Sequence, residues 1–153
     1  MPQEALVLVV DDFPDGRELV AEYLTFKGFA VLTASTGEEA IEIARRVKPQ
    51  IVLMDLSMPG LDGWDATRIL KADPETHDIV VIAVTARAMT PDLQRAFQAG
   101  CDGVVAKPFD LATLAAALTR VLKRGASAID VPGISINPTR SAPRRRRSPE
   151  SLT

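Results

Sequence analysis

The 153-residue sequence predicts an α/β fold, a doubly wound parallel sheet of five strands with helices on both faces. Three observations carry this. Five short apolar, β-branched runs alternate with five segments of helical period, and no long gap separates them. The runs are apolar at consecutive positions instead of alternating, as in strands covered on both faces. Polar residues recur at the ends of those runs, where open parallel sheets place their ligands.

The elements follow in order. Leu6–Val10 is the first strand, and Asp11 and Asp12 end it. Leu19, Val20, Tyr23 and Leu24 then recur at helical spacing, with Gly28 suited to the C-terminal cap. Residues 29–34 read as a second strand. Thr36 and Glu39 form a capping-box pattern before Ala40, Ile41, Ile43, Ala44 and Val47, and Pro49 ends that helix. Ile51–Asp55 is the third strand, and a carboxylate closes an otherwise apolar run. A helix over residues 62–72 carries Trp64, Ile69 and Leu70. Residues 79–84 form the fourth strand, ending at Thr85. Thr90 and Pro91 start a helix with Pro91 at its first position, and Gly100 closes it. Residues 102–106 form the fifth strand, which runs into Lys107 and Pro108. Asp110 caps a last helix with Leu111, Leu114, Leu118, Val121 and Leu122 on one stripe.

Composition narrows the functional class. An apolar fraction of 46% and a charged fraction of 25% are those of an ordinary globular protein. The single cysteine, Cys101, excludes an intramolecular disulfide and a cysteine-only metal site, and suits a reducing compartment. No apolar stretch reaches about 18 residues and no secretory signal pattern opens the chain, so a cytoplasmic location is expected. Charge is uneven: residues 1–123 carry 12 Lys and Arg against 18 Asp and Glu, whereas residues 124–153 carry 6 against 2. Composition shifts near Gly125. One domain over residues 1–124 is therefore expected, followed at 125–153 by a Pro/Ser/Arg-rich basic tail without a periodic apolar face, predicted to be disordered. Its Arg144 to Arg147 run suits an anionic partner.

The strand ends assemble a chemistry. Asp11, Asp12, Asp55, Thr85 and Lys107 all fall at one edge of the sheet. Three carboxylates in one cleft repel one another unless a cation joins them. Oxygen-only ligands favour a hard cation, and one or two carboxylates with waters and a phosphate is the usual magnesium arrangement. A lysine supplies a compact charge for a phosphate oxygen. Nothing else in the chain forms a Ser-His pair or a phosphate-cradling glycine loop, and His77 falls in a polar loop.

From about residue 6 to 122 the chain resembles a receiver domain of two-component response regulators, of the stand-alone CheY-like kind. The matching pieces are the acidic pair Asp11-Asp12, the stretch from Met54 and Asp55 through Pro59 and Gly60 to Gly63, Thr85 followed by Ala86, and Lys107-Pro108-Phe109. The resemblance implies a flavodoxin-like (βα)5 fold. It implies that Asp55 is the phospho-acceptor, that Asp12 binds Mg2+ directly, that Asp11 acts partly through water, and that the Ser57 backbone carbonyl completes the protein ligands. Thr85 and Lys107 would hold the phosphoryl oxygens, and the Lys107–Pro108 bond would be cis. The implied partners are a sensor histidine kinase or histidine phosphotransfer protein and a downstream protein target. Too few residues follow Arg124 for a DNA-binding or catalytic output domain, so the expected role is signalling, with no catalysis beyond the chain's own phosphorylation and dephosphorylation. The family usually carries Tyr or Phe three residues before the lysine, where it rotates inward on activation; here that position is Val104.

Two other classes share part of the pattern. A haloacid-dehalogenase-type phosphatase also uses a strand-end Asp and magnesium, but needs a second Asp where this chain has Ser57. A non-phosphorylated pseudo-receiver scaffold would lack some of the five polar positions, and here all five are present.

Overall fold

A computed structural model describes residues 5–58, 60–86, 89–124 and 134–137. The elements are β1 (Leu6–Val10), α1 (Pro14–Phe26), β2 (Ala30–Ala34), α2 (Gly37–Val47), β3 (Ile51–Asp55), α3 (Gly63–Ala72), β4 (Val80–Thr85), α4 (Thr90–Ala99), β5 (Gly103–Ala106), α5 (Leu111–Arg124) and β6 (Ile134–Ile136). The sheet order is β2-β1-β3-β4-β5-β6, parallel except for the antiparallel β6. Setting β6 aside, this is the flavodoxin-like order, with a topological switch point between β1 and β3. The predicted fold class holds.

Alternate residues of each strand feed two apolar layers. Leu8, Val10, Val52, Met54, Val81 and Ala83 face the cluster shared with α2, α3 and α4. Val7, Val9, Ile51, Leu53 and Ile82 face the cluster shared with α1 and α5. Both faces are covered, which is why the strands read as unbroken apolar runs.

Local signals set the helix ends. Thr36 Oγ1 accepts the Glu39 N–H at 3.0 Å, and Glu39 Oε1 accepts the Ser35 N–H at 2.9 Å, so the capping pattern closes one residue earlier than in the standard box. Asp62 and Asp110 cap α3 and α5 through the N–H groups of Asp65 and Thr113. Gly100 ends α4 at φ +108°, and a Cβ there would lie 2.8 Å from Cγ of Lys71, so both conformation and space require glycine.

Three details differ from the sequence expectation. Leu19, placed on the apolar stripe of α1, is 58% exposed, and Val20 and Leu24 do the packing. Met89 is the N-cap of α4, so Thr90, and not Pro91, takes its first position. The expected five-stranded sheet has a sixth strand: Ile134, Ser135 and Ile136 pair with Val105, Val104 and Gly103. Ile134, Ser135 and Ile136, between Pro132-Gly133 and Asn137-Pro138, give too short an alternation to read from sequence, and the edge of β5 supplies what they lack. The rest of 125–153, with its Arg run and its expected disorder, lies outside the described residues. Among the described residues no helix is long and apolar enough to cross a membrane.

Candidate functional site

The carboxyl ends of β1, β3, β4 and β5 deliver the predicted residues to one edge. Asp11 follows β1 directly and is tied to β2, its N–H donating to the Ala34 carbonyl at 3.1 Å. Asp55 ends β3, and the next amide, that of Leu56, donates to the Val84 carbonyl at 3.0 Å. Lys107 follows β5, its N–H donating to the Thr85 carbonyl at 2.8 Å. Asp11, Asp55 and Lys107 are thus fixed by a ladder bond at the residue or the one after it. Gly63 sits close beneath β3: a Cβ there would collide with the Asp55 carbonyl oxygen and lie 2.7 Å from Leu56 Cα. Glycine at that position lets the start of α3 pack against the strand end that carries Asp55.

Asp11 and Asp55 have matching geometry. One oxygen of each accepts a backbone N–H two residues on, Phe13 to Asp11 Oδ1 and Ser57 to Asp55 Oδ1, both at 3.0 Å. The other oxygen of each turns toward Lys107, whose Nζ lies 3.7 Å from Asp11 Oδ2 and 3.9 Å from Asp55 Oδ2. Asp12 is exposed beside them, and carboxylate oxygens of Asp11, Asp12 and Asp55 lie within 4.8 Å of one another. Thr85 is buried at the end of β4. Arg17, not singled out in the sequence, donates to the Asp11 carbonyl at 2.9 Å and holds the start of α1 to the site. No motif marked it; only its position in the first turn of α1, six residues past Asp11, does.

The electrostatics are unbalanced. Asp55 is 5% exposed, and its pKa is pushed up to about 6. Burial is the largest cause; the Ser57 N–H pulls down, a hydrogen bond with Asp11 pushes up, Lys107 pulls down, and the Asp11 charge pushes up again. Three carboxylates against one lysine leave an excess of negative charge that a cation would neutralise. The donors are all oxygen, on a rim that Asp12 opens to water, which fits a hard divalent ion that keeps several waters. A cavity of about 30 Å³ borders Asp11, Asp55 and Lys107, room for about one water and far below a small-molecule pocket.

The description "response regulator receiver domain" matches residues 7–119. The chain belongs to the response regulator receiver family. This receiver domain is 39% identical over 118 residues to protein PilH of Pseudomonas aeruginosa, covering 77% of this chain and 98% of PilH. It is 35% identical over 105 residues to the polar-differentiation response regulator DivK of Brucella anthropi, covering 69% of this chain and 85% of DivK. In structure it superposes on the Vibrio cholerae chemotaxis protein CheY4 with a TM-score of 0.74 at 28% identity, covering 78% of this chain and 99% of that one. The Lys107–Pro108 peptide is cis, as the resemblance implies.

Proposed function

We propose that this receiver domain accepts a phosphoryl group on Asp55 from a phosphohistidine of a sensor histidine kinase or phosphotransfer protein, and signals to a downstream protein through the surface that changes as a result. The observation that carries the reading is Asp55 itself: a buried strand-end carboxylate with one oxygen fixed by Ser57 and the other turned to Lys107 beside two further carboxylates. An oxygen of Asp55 attacks the phosphorus, the bond from phosphorus to the donor imidazole breaks, and the imidazole keeps the electron pair. The Ser57 N–H orients the nucleophile. Lys107 and the Thr85 hydroxyl take the phosphoryl oxygens. Water later attacks the phosphorus, releasing inorganic phosphate and restoring Asp55.

Asp12, Asp55 and the Ser57 carbonyl would hold Mg2+, with Asp11 acting partly through water. The ion, when bound, neutralises charge on the transferring group. The shallow site favours a donor presented by another protein over an enclosed organic substrate, so the chain acts as a signalling protein and not as a metabolic enzyme. A cytoplasmic place of action fits its lone buried thiol, Cys101. Intact-mass spectrometry after incubation with acetyl phosphate and Mg2+ is the test. The wild-type chain should gain one phosphoryl group and Asp55→Asn none; phosphorylation of the variant at the wild-type level would place the acceptor elsewhere.

A further inference from the structure

The strand β6 closes what would otherwise be the open edge of the sheet. Edge strands present unpaired N–H and C=O groups and are normally protected. Here Ile136, Ser135 and Ile134 pair with Gly103, Val104 and Val105, and the two isoleucines pack on the apolar layer shared with α1 and α5. Asn137 anchors the strand's end. It is 2% exposed, its N–H donates to the Asp102 carbonyl at 3.1 Å, and its side-chain amide donates to Cys101 O at 2.7 Å and Phe97 O at 3.2 Å. Among the described residues the hold is local: three strand residues and one asparagine.

Both anchor points lie on elements that adjoin the phosphoacceptor site. The first, β5, runs into Lys107 and pairs on its inner side with β4, Ala106 opposite Thr85. The second, the end of α4, belongs to the helix that follows Thr85 in the chain. A phosphoryl group on Asp55 adds negative charge and acceptor oxygens. Lys107 and Thr85 are the groups aimed to meet it, and both would move toward β3. In the sheet order β3-β4-β5-β6 that direction is away from β6. A small motion is enough, because the strand pairing and the Asn137 bonds hold only in one register. Val104, buried and paired with Ser135, has no aromatic ring to swing, so motion of β5 as a whole is the route left on this strand.

We propose that residues 134–137 form a latch strand, docked on β5 while Asp55 is unmodified and released when Asp55 is phosphorylated, which makes the tail segment the output of the site. The inference rests on the phosphoacceptor reading above. By linkage the coupling is reciprocal: whatever releases the strand must also tighten the site's grip on the phosphoryl group.

Hydrogen exchange of the full-length chain, with and without beryllofluoride and Mg2+, tests it without any substitution. The amides of residues 134–137 should exchange about fivefold faster or more in the presence of the phosphoryl mimic, while those of β1 exchange no faster. Unchanged or slower exchange in 134–137, in protein that acetyl phosphate demonstrably modifies at Asp55, overturns the latch and leaves the phosphoacceptor reading standing. Absence of that modification overturns both. In the reciprocal arm, Asn137→Ala and Ile134→Asp should each raise beryllofluoride affinity about fivefold; wild-type affinity in folded variants also overturns the latch.

Discussion

Two lysine–aspartate clusters flank the four residues of β5, and they are built to opposite ends. Just before the strand, Asp102 is fully buried and pairs with Lys71 at 3.0 Å. The same carboxylate oxygen accepts the Val81 N–H at 2.8 Å, and Lys71 Nζ also donates to the Ile79 carbonyl at 2.6 Å. Just after the strand, Lys107 stands 3.7 and 3.9 Å from two carboxylates, with a third close by. The first cluster matches one cation to one anion away from water and gives the lysine three acceptors, the carbonyls of His77 and Ile79 and the Asp102 carboxylate, so it joins α3 to the start of β5. The second carries excess negative charge at a water-accessible rim, with its lysine at long range from either partner. The same residue types make a structural joint in one place and a reactive site in the other. Charge balance and burial decide which.

The largest effects should separate the clusters by kind. Asp55→Asn should abolish phosphorylation while the fold stands, since the amide is nearly isosteric but a poor nucleophile. Asp102→Ala should do the reverse. It leaves the Lys71 charge in a mostly buried setting without its partner, at a cost of about 3–5 kcal/mol, while the folded fraction still takes up phosphate. Urea denaturation together with intact-mass phosphorylation reads both properties in each variant. Loss of stability in Asp55→Asn together with a neutral Asp102→Ala would erase the distinction.

A cation should stabilise the second cluster alone. Mg2+ at about 100 times its dissociation constant should add about 2.7 kcal/mol to unfolding stability by mass action. Asp12→Asn and Asp55→Asn should each remove most of that gain, and Asp11→Asn less, because a water-mediated ligand contributes less than a direct one. Thermal melts across a Mg2+ titration check this; equal loss on changing Asp11 and Asp12 contradicts the assigned roles. Trp64 can report the same titration, but the Arg95 guanidinium lies 3.8 Å over its ring, so its fluorescence also follows α4.

The pH response should be smaller and of known sign. The Asp55 pKa is raised from 3.8 to about 6, so between those values the folded chain binds more protons than the unfolded one. Stability from this group is therefore highest below pH 4 and falls as pH rises toward 6. After solvent screening the change is on the order of 1–2 kcal/mol. Asp55→Asn should flatten that part of the stability profile in Mg2+-free buffer, leaving the mutant slightly more stable than wild type at pH 7. An unchanged slope in denaturation midpoints between pH 4 and 6 would show that burial does not load this carboxylate.

The two clusters also differ in how far the sequence exposes them. Asp11, Asp12, Asp55, Thr85 and Lys107 each end or follow a recognisable apolar run, so a correct reading of the strands placed them on one edge. The caps at Thr36 and Asp110 were legible for the same reason, since their signals span three or four residues. Lys71 and Asp102 lie 31 residues apart on unrelated elements, and neither position carries a local signal of pairing. β6 stayed hidden because pairing to β5 defines it. Leu19 was assigned to the wrong side of α1 because its spacing fits the apolar stripe, while in the fold Val20 and Leu24 pack and Leu19 is exposed.

The smallest effect on the site concerns the strand that joins the clusters. Val104 is buried on the layer shared with α3 and α4, and truncating it removes packing worth on the order of 1–2 kcal/mol. Its side chain points away from the carboxylates, so Val104→Ala should leave phosphorylation and its local consequences nearly intact. Thr85 differs in kind. Its carbonyl holds the Lys107 amide, a bond that alanine preserves, whereas its hydroxyl is the group expected to reach the phosphoryl oxygens. Thr85→Ala should therefore still allow Asp55 to be phosphorylated, but remove most of the change that beryllofluoride induces in the amide shifts of Ala86 and Met89. Backbone NMR of the two variants, with and without the mimic, compares them directly. If Val104→Ala loses the shift pattern and Thr85→Ala keeps it, the signal leaves the site through a side chain on β5 and not through the threonine hydroxyl.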